Sequence, residues 1–428
     1  VRPVREVIAP LKVLGFRRYY LGHTASTFGD ALTPLAIAFA VLHLTGSPAD
    51  LGIVVLSTRI PVIALSLLGG ALGDRFSRRD VMLVADLMRF LAQGATAALL
   101  LSGTARIWMI VLLQLVAGMG SALFTPASVG LVVSLAGRER VQEANALLSM
   151  SRSLTSLAAL SVAGALVATV GPGWAILIDA ATFLVSAVFL ARLPRSLTSQ
   201  RPAASTGLRA GVKGGLAEVA RRPWLLTSVV HVALTNLVVV APFLVLGPYV
   251  ADRHLGGAPA WAAIGVAYAV GGLAGGLVAA RWKASRPVAA TLVVFLVMTP
   301  LPVLLAVPAA LWLLMPAAFL AGLELVIYNV LQTSTIQRHV PEHLIARVSS
   351  VVTLGALAAA PLGMGLAGPA AEVFGSGAVL VGGALLAVLG TVAALLVPSV
   401  WRVKDGPGEG ERAEPGGTGQ SSQRAAAS

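Results

Sequence analysis

Cysteine is absent from the 428 residues, which removes disulfides and thiol chemistry from consideration and leaves the redox compartment unmarked. Charge is also scarce. Asp, Glu, Lys and Arg make up 11% of the chain, against roughly 25% in a soluble domain. Only four lysines occur, and no Gly-rich loop ends in Lys-Ser or Lys-Thr, so nothing here cradles a phosphate for an ATP-driven pump. The formal charge of +13 comes with no basic face, RNA-binding signature or zinc-finger spacing, which argues against nucleic acid as a partner. No cofactor is implied.

What the chain does contain is apolar. Hydrophobic residues make up 57% of it, with 45 glycines and 24 prolines, and the mean hydropathy is +0.86. A soluble protein of this composition could not cover its surface with polar groups, whereas a protein surrounded by lipid has no need to. Membrane helices also tolerate Gly and Pro when neighbouring helices cover the backbone. The first apolar run lacks the short length and small-residue cleavage site of a signal peptide, so it is expected to stay in the membrane.

A crossing helix needs about 20 mostly apolar residues. Such runs occur at 19–42, 51–73, 80–102, 107–133, 145–168 and 173–191, and again at 224–250, 260–280, 288–307, 310–334, 346–368 and 377–398. The expectation is an all-α polytopic membrane protein with 12 transmembrane helices in two six-helix bundles. Loop charge tests that count independently. Alternate connections, together with both ends, hold 26 of the 31 Lys and Arg residues, while the opposite set holds only Arg106 and Arg253. Both termini are therefore expected in the cytoplasm. Residues 1–195 form the first bundle, 196–222 a basic linker, 223–401 the second bundle and 402–428 a polar, disordered tail.

The two halves carry traces of duplication. Gly70-Ala71-Leu72-Gly73-Asp74-Arg75-Phe76-Ser77-Arg78-Arg79 follows the second span, and Gly276-Leu277-Val278-Ala279-Ala280-Arg281-Trp282 occupies the matching place after the eighth. Glycines one turn apart permit close helix approach. Asp74 would sit beside the N-terminus of the third span, where a carboxylate is favoured. Contacts of this kind would form when the cytoplasmic helix ends meet and break when they part. The plainer reading makes Arg75, Arg78 and Arg79 simple topology anchors.

Charged side chains at membrane depth cost about 2.5–3.5 kcal/mol each on insertion scales. Seven are candidates at membrane depth: Asp30, Arg59, Asp86, Arg89, Arg152, Asp179 and Glu324. Asp30 and Glu324 are central in their spans, one in each half, and are candidates for proton coupling or a cavity contact; a buried polar clamp is the structural alternative. Asp86 and Arg89, three apart on one helix face, pair locally and are expected to work with the cytoplasmic gate residues Gly70, Gly73, Asp74, Arg75, Arg78 and Arg79. Arg59 and Arg152 either neutralise these carboxylates or receive an anionic substrate, with snorkelling an ordinary explanation for Arg152. Asp179 reads as a helix-packing residue.

Two other patterns carry no site. Gly363-Met364-Gly365-Leu366-Ala367-Gly368 has dinucleotide-motif spacing but lies in an apolar span with no preceding strand. His339 and His343 flank Pro341 without further ligands, so no metal is implied.

The Gly70–Arg79 loop resembles the signature between helices 2 and 3 of the major facilitator superfamily of secondary transporters. The resemblance extends to a bacterial branch of macrolide and enterobactin-type siderophore exporters through Gly29-Asp30, Thr45-Gly46-Ser47, Pro61, Asp86 to Arg89, Phe124-Thr125-Pro126, Ala144-Asn145 and Ile178 to Phe183. It covers roughly residues 14 to 400. Two departures stand out: Ala280 replaces the acid of the first loop copy, and the fifth span lacks the Gly-Pro pair carried by many drug/proton antiporters. The resemblance implies a non-enzymatic secondary transporter in a bacterial inner membrane, functional as a monomer, with lipid, protons and a small-molecule substrate as partners. Proton-coupled efflux of an amphipathic drug, antibiotic or siderophore is the expected activity. Ion-coupled uptake of a metabolite and a non-transporting scaffold are the alternatives.

Overall fold

The computed structural model describes residues 9–72, 77–137, 139–194, 216–282 and 284–404, and these are almost wholly helical. The long helices are α1 Leu14–Thr45, α2 Pro48–Leu72, α3 Arg78–Leu101, α4 Ile107–Ala136, α5 Val141–Thr169 and α6 Pro172–Ala191. They continue as α7 Pro223–His254, α8 Ala258–Arg281, α9 Pro287–Ala306, α10 Leu311–His339, α11 Glu342–Phe374 and α12 Ser376–Leu395. Eleven of them are long and apolar enough to cross a membrane among the described residues. The remaining one, α11, has 33 residues with no charged side chain between Arg347 and Glu372. The chain is an all-α polytopic membrane protein with eleven to twelve spans.

Local chemistry explains the helix ends and irregularities. Gly46 closes α1 in the left-handed conformation at φ 66°, returning its N–H to the Leu42 carbonyl. Ser77 caps α3 by accepting from the Asp80 N–H at 3.1 Å. Helix α7 widens into a π-helical turn over Asn236–Val240. Pro242 follows at once, and its missing N–H removes the bond that would hold regular spacing there. Helix α9 tightens at Leu296–Met298 ahead of Pro300 and Pro302 for the same reason.

The packing repeats. Helix α1 packs on α5 and α6, α2 on α4, and α3 on α4 and α6; six helices later α7 packs on α11 and α12, α8 on α10, and α9 on α10 and α12. The tightest of these approaches joins α8 to α10. A Cβ on Gly271, Gly275 or Gly322 would run into the backbone of the facing helix, so the two chains meet main chain to main chain.

Contacts between the two sets lie towards one face, opposite the arginine-rich loops. There α2 meets α11, with Gly52 against Met364 and Gly368 against Pro48 and Ala49. Likewise α5 meets α8, with Gly164 against Ala262 and Leu160 against Gly265. Polar links reinforce that face. Ser47 donates to Glu372 at 2.7 Å, His43 lies 3.7 Å from Asp252, and Arg253 donates to the Gly46 carbonyl at 3.4 Å. A shared apolar cluster, including Leu51, Val54, Val245 and Met364, fills the space beneath them.

Because Gly322 abuts the α8 backbone at Tyr268, Gly322→Val should separate α8 from α10. A loss on the order of 3 kcal/mol is expected from overpacking of this kind. It should show as a lowered thermal midpoint of the purified protein, whereas Ala at the open position Gly382 should leave the midpoint unchanged.

Candidate functional site

The intramembrane acids of the first six helices converge on Arg89. Arg89 of α3 is buried and forms a short ion pair with Asp86 one turn earlier. It also reaches across to Asp30 of α1 at 3.3 Å. Phe124 and Phe183 sandwich its guanidinium, with ring centres 4.4 and 4.2 Å from Cζ. Rings from α4 and α6 thus hold a cation that α1 and α3 neutralise, an arrangement suited to a planar guanidinium. Gly120 makes room for the stem: a Cβ there would meet Arg89 Cγ and the Ala85 carbonyl.

Asp179 of α6 lies beside this cluster and is fully buried. Its Oδ2 accepts from Thr33 of α1 at 2.5 Å. Gly29 provides the space, since a Cβ at that position would strike Thr182 and Asp179. Among the described residues, Asp179 Oδ1 and Asp86 Oδ2 have no hydrogen-bond partner. Three carboxylates therefore surround one clamped arginine. Asp30 differs from the other two because 48% of its side chain is uncovered by protein. It is the cluster's outlet to the space between the helices.

Further aromatic groups extend along the same side of α1. His23 stacks between Tyr19 and Phe124, with ring separations of 5.3 and 6.0 Å. Arg152 of α5, exposed from protein, is near enough to act electrostatically on both His23 and Asp30. In the other half, Glu324 of α10 is buried near Tyr268 and Tyr328. Asp30 and Glu324 are each about 20 Å from the nearer end of their helix by helical rise, which puts both near mid-depth.

Arg59 stands apart. It is exposed from protein near the middle of α2, and the structure does not bring it to Asp30, Asp86 or Asp179. Arg78 and Arg79 lie at the other end of the molecule. Arg78 donates to the Gly130 carbonyl at 2.8 Å and Ser134 at 3.3 Å. Arg79 donates to the carbonyls of Leu190 and Ala191 at 3.0 and 2.6 Å, at the negative end of α6. These two arginines tie α3 to α4 and α6. Gly70 belongs to the last turn of α2, while Gly73, Asp74 and Arg75 fall outside the described residues.

Several participants were not read from the sequence. Thr33, His23, Phe124 and Phe183 have no charge to mark them inside a span. A buried His231, whose Nε2 meets Thr391 Oγ1 at 2.9 Å and whose ring stands edge-on to Phe295, also escaped notice. A lone polar residue in an apolar run was the available signal for His231.

Comparison with known proteins gives this geometry a context. The profile of the Major Facilitator Superfamily matches residues 19–364. The multidrug efflux pump Tap of Mycolicibacterium fortuitum is 30% identical over 384 residues, covering 86% of this chain and 92% of the relative. The uncharacterized MFS-type transporter YfiS of Bacillus subtilis is 29% identical, covering 88% and 92%. Among solved structures, a bacterial homologue of the iron transporter ferroportin in its inward-facing state overlays with a TM-score of 0.68 at 16% identity, covering 89% of this chain and 98% of that one. The outward-facing state of that homologue gives 0.59 at 17% identity, covering 91% and 99%. These likenesses show the fold.

Removing the shared cation should be costly. Arg89→Ala leaves Asp86 buried and unpaired, for which about 3–5 kcal/mol of destabilisation is typical. Arg89→Lys should recover little of it, because an ammonium cannot satisfy two carboxylates while lying flat between two rings. Thermal unfolding of the purified variants measures both effects.

Proposed function

The chain belongs to the major facilitator superfamily, and on that footing we propose that it exports amphipathic small molecules by proton-coupled alternating access. The observation that carries this reading is the distribution of contacts between the two sets of six helices. They touch near the face opposite the arginine-rich loops, through Gly52, Gly164 and the Ser47–Glu372 bond. The charged residues at mid-depth lie on the unsealed side of those contacts. Taken as two six-helix bundles, residues 1–195 and 223–401 joined by the basic linker, the halves can rock about that seal and present one site to each side in turn.

Orientation follows from loop charge. The arginine-rich loops and both termini are assigned to the cytoplasm of a bacterial inner membrane, so the conformation described is open inward. Export is favoured over uptake by the similarity to a protein named as a multidrug efflux pump. Drugs, antibiotics and siderophores are the cargo that the family resemblance implies. Protons are the proposed coupling ion because carboxylates are present at mid-depth in both halves: Asp30, partly uncovered, and Glu324, enclosed. The signature loop from Gly70 to Arg79, with Asp74 and Arg75 at its centre, is assigned to the cytoplasmic gate that must close when the opposite seal opens.

Two experiments test this reading. In proteoliposomes under an imposed proton gradient, dye or macrolide extrusion should follow the gradient and collapse with an ionophore. Asp30→Asn or Glu324→Gln should uncouple transport from pH while the protein remains folded; unchanged pH dependence in both variants would remove the carboxylates from coupling. The second uses the cysteine-free background. Ser47→Cys with Glu372→Cys, joined by a short cleavable bifunctional thiol reagent, should arrest transport, and cleavage of the linker should restore it.

A further inference from the structure

Arg59 combines three properties that no other described residue shares. The first is depth. It lies eleven residues into α2, about 16 Å from the Pro48 end by helical rise and further from the Leu72 end. Buried or membrane-depth arginines ordinarily pair.

The second is direction. Ile53 and Ile60 are exposed apolar residues that mark the lipid side of α2. Thr58 and Pro61 face α4, where they meet Gly118. Gly52 faces α11 and α7, against Met364 and Val245, and Leu56 meets Gly365 one turn further on. Arg59 is seven residues beyond Gly52, so two helical turns return it to that same face. Arg59 therefore shares the face of Gly52 and Leu56 that turns to α7 and α11, and it is exposed there.

The third is an unmet charge. Arg89 is taken by Asp86 and Asp30, and Arg152 acts on Asp30. Among the described residues Arg59 makes no hydrogen bond or ion pair. A free fork of donors on the face of α2 turned to α7 and α11 is suited to the two oxygens of an acid anion.

We propose that Arg59 docks an anionic group of the transported molecule, so that the substrate class is an amphipathic compound bearing a carboxylate, sulfonate or phosphate. Transport of that compound rests on the export reading, but the binding itself does not. The competing role is conformational, with Arg59 pairing with Glu324 when the cleft closes.

The test uses the full chain in nanodiscs and two matched dyes, 1-anilinonaphthalene-8-sulfonate and its neutral parent N-phenyl-1-naphthylamine. The anion should bind at least about tenfold more weakly to Arg59→Gln than to wild type, with the neutral dye changed less than about twofold. A tenfold change corresponds to about 1.4 kcal/mol. Arg59→Lys should fall between, since it keeps the charge and loses the fork. Equal loss of both dyes, or no change in either, would overturn the proposal, as would anion binding weakened as much by Glu324→Gln as by Arg59→Gln. If Arg59→Gln does not fold, the wild-type and Arg59→Lys comparison decides on the same criterion, with a selective drop for the anion expected. Selective anion binding without gradient-driven extrusion of any dye would count against export and leave this site standing. Extrusion of dyes with no selective effect at Arg59 would do the reverse.

Discussion

Arg89 is the interaction around which the first six helices are organised. It joins α3 to α1 through Asp30 and is clasped by rings from α4 and α6. Four helices therefore share one cation. In lipid the hydrophobic effect does not draw helices together, because the tails are as apolar as the side chains. Specific polar and close-packed contacts must do it instead. A charged group that no single helix can neutralise alone is such a contact, since separating the helices would leave charge without a partner in hydrocarbon.

The other organising device is the bare backbone. Where α8 meets α10, and where α2 and α5 meet α11 and α8, glycine or alanine allows the helices to touch. The two uses differ in consequence. Within a half, the α8–α10 contact sits beside buried Glu324 and packs continuously along the helices. Between halves, the contacts are limited to one face and backed by exposed polar links such as Ser47 to Glu372. Exposed links of this kind contribute little net stability, so close packing and the shared apolar cluster carry most of that contact.

The spans were legible because each is a single long apolar run, whereas their direction is an expectation from loop arginines. Helix ends moved outward by several residues in places, as at Leu14 and Glu342, where polar residues extend a helix past the lipid-facing core. The site was less legible. Asp86 and Arg89 are three residues apart and read as a local pair, but Asp30 is 59 residues from Arg89, and hydropathy carries no information on which spans are neighbours. Phe124 and Phe183 were equally hidden, since an aromatic residue in an apolar span looks the same whether it faces lipid or a guanidinium. Arg78 and Arg79 show the converse. Their place in a recognisable loop drew attention to gating, and the bonds they make run to helix carbonyls, Ser134 and Asp80 of the first six helices.

Charge placement links these observations to transport. Every intramembrane acid of the first half gathers near Arg89, and only Asp30 among them is partly uncovered. Sharing Asp30 between Arg89 and the field of Arg152 leaves that carboxylate sensitive to anything that enters the cleft, because an added charge must change the balance among all three. Arg59 faces the same cleft from another helix, without a share in that balance. A molecule lodged between the halves would therefore meet a compensated carboxylate on one wall and an uncompensated cation on another. Such a cleft discriminates by charge as well as by apolar bulk. Because α2 also carries the contact with α11, an occupant held at Arg59 would bear directly on the helix pair that must part for the opposite face to open.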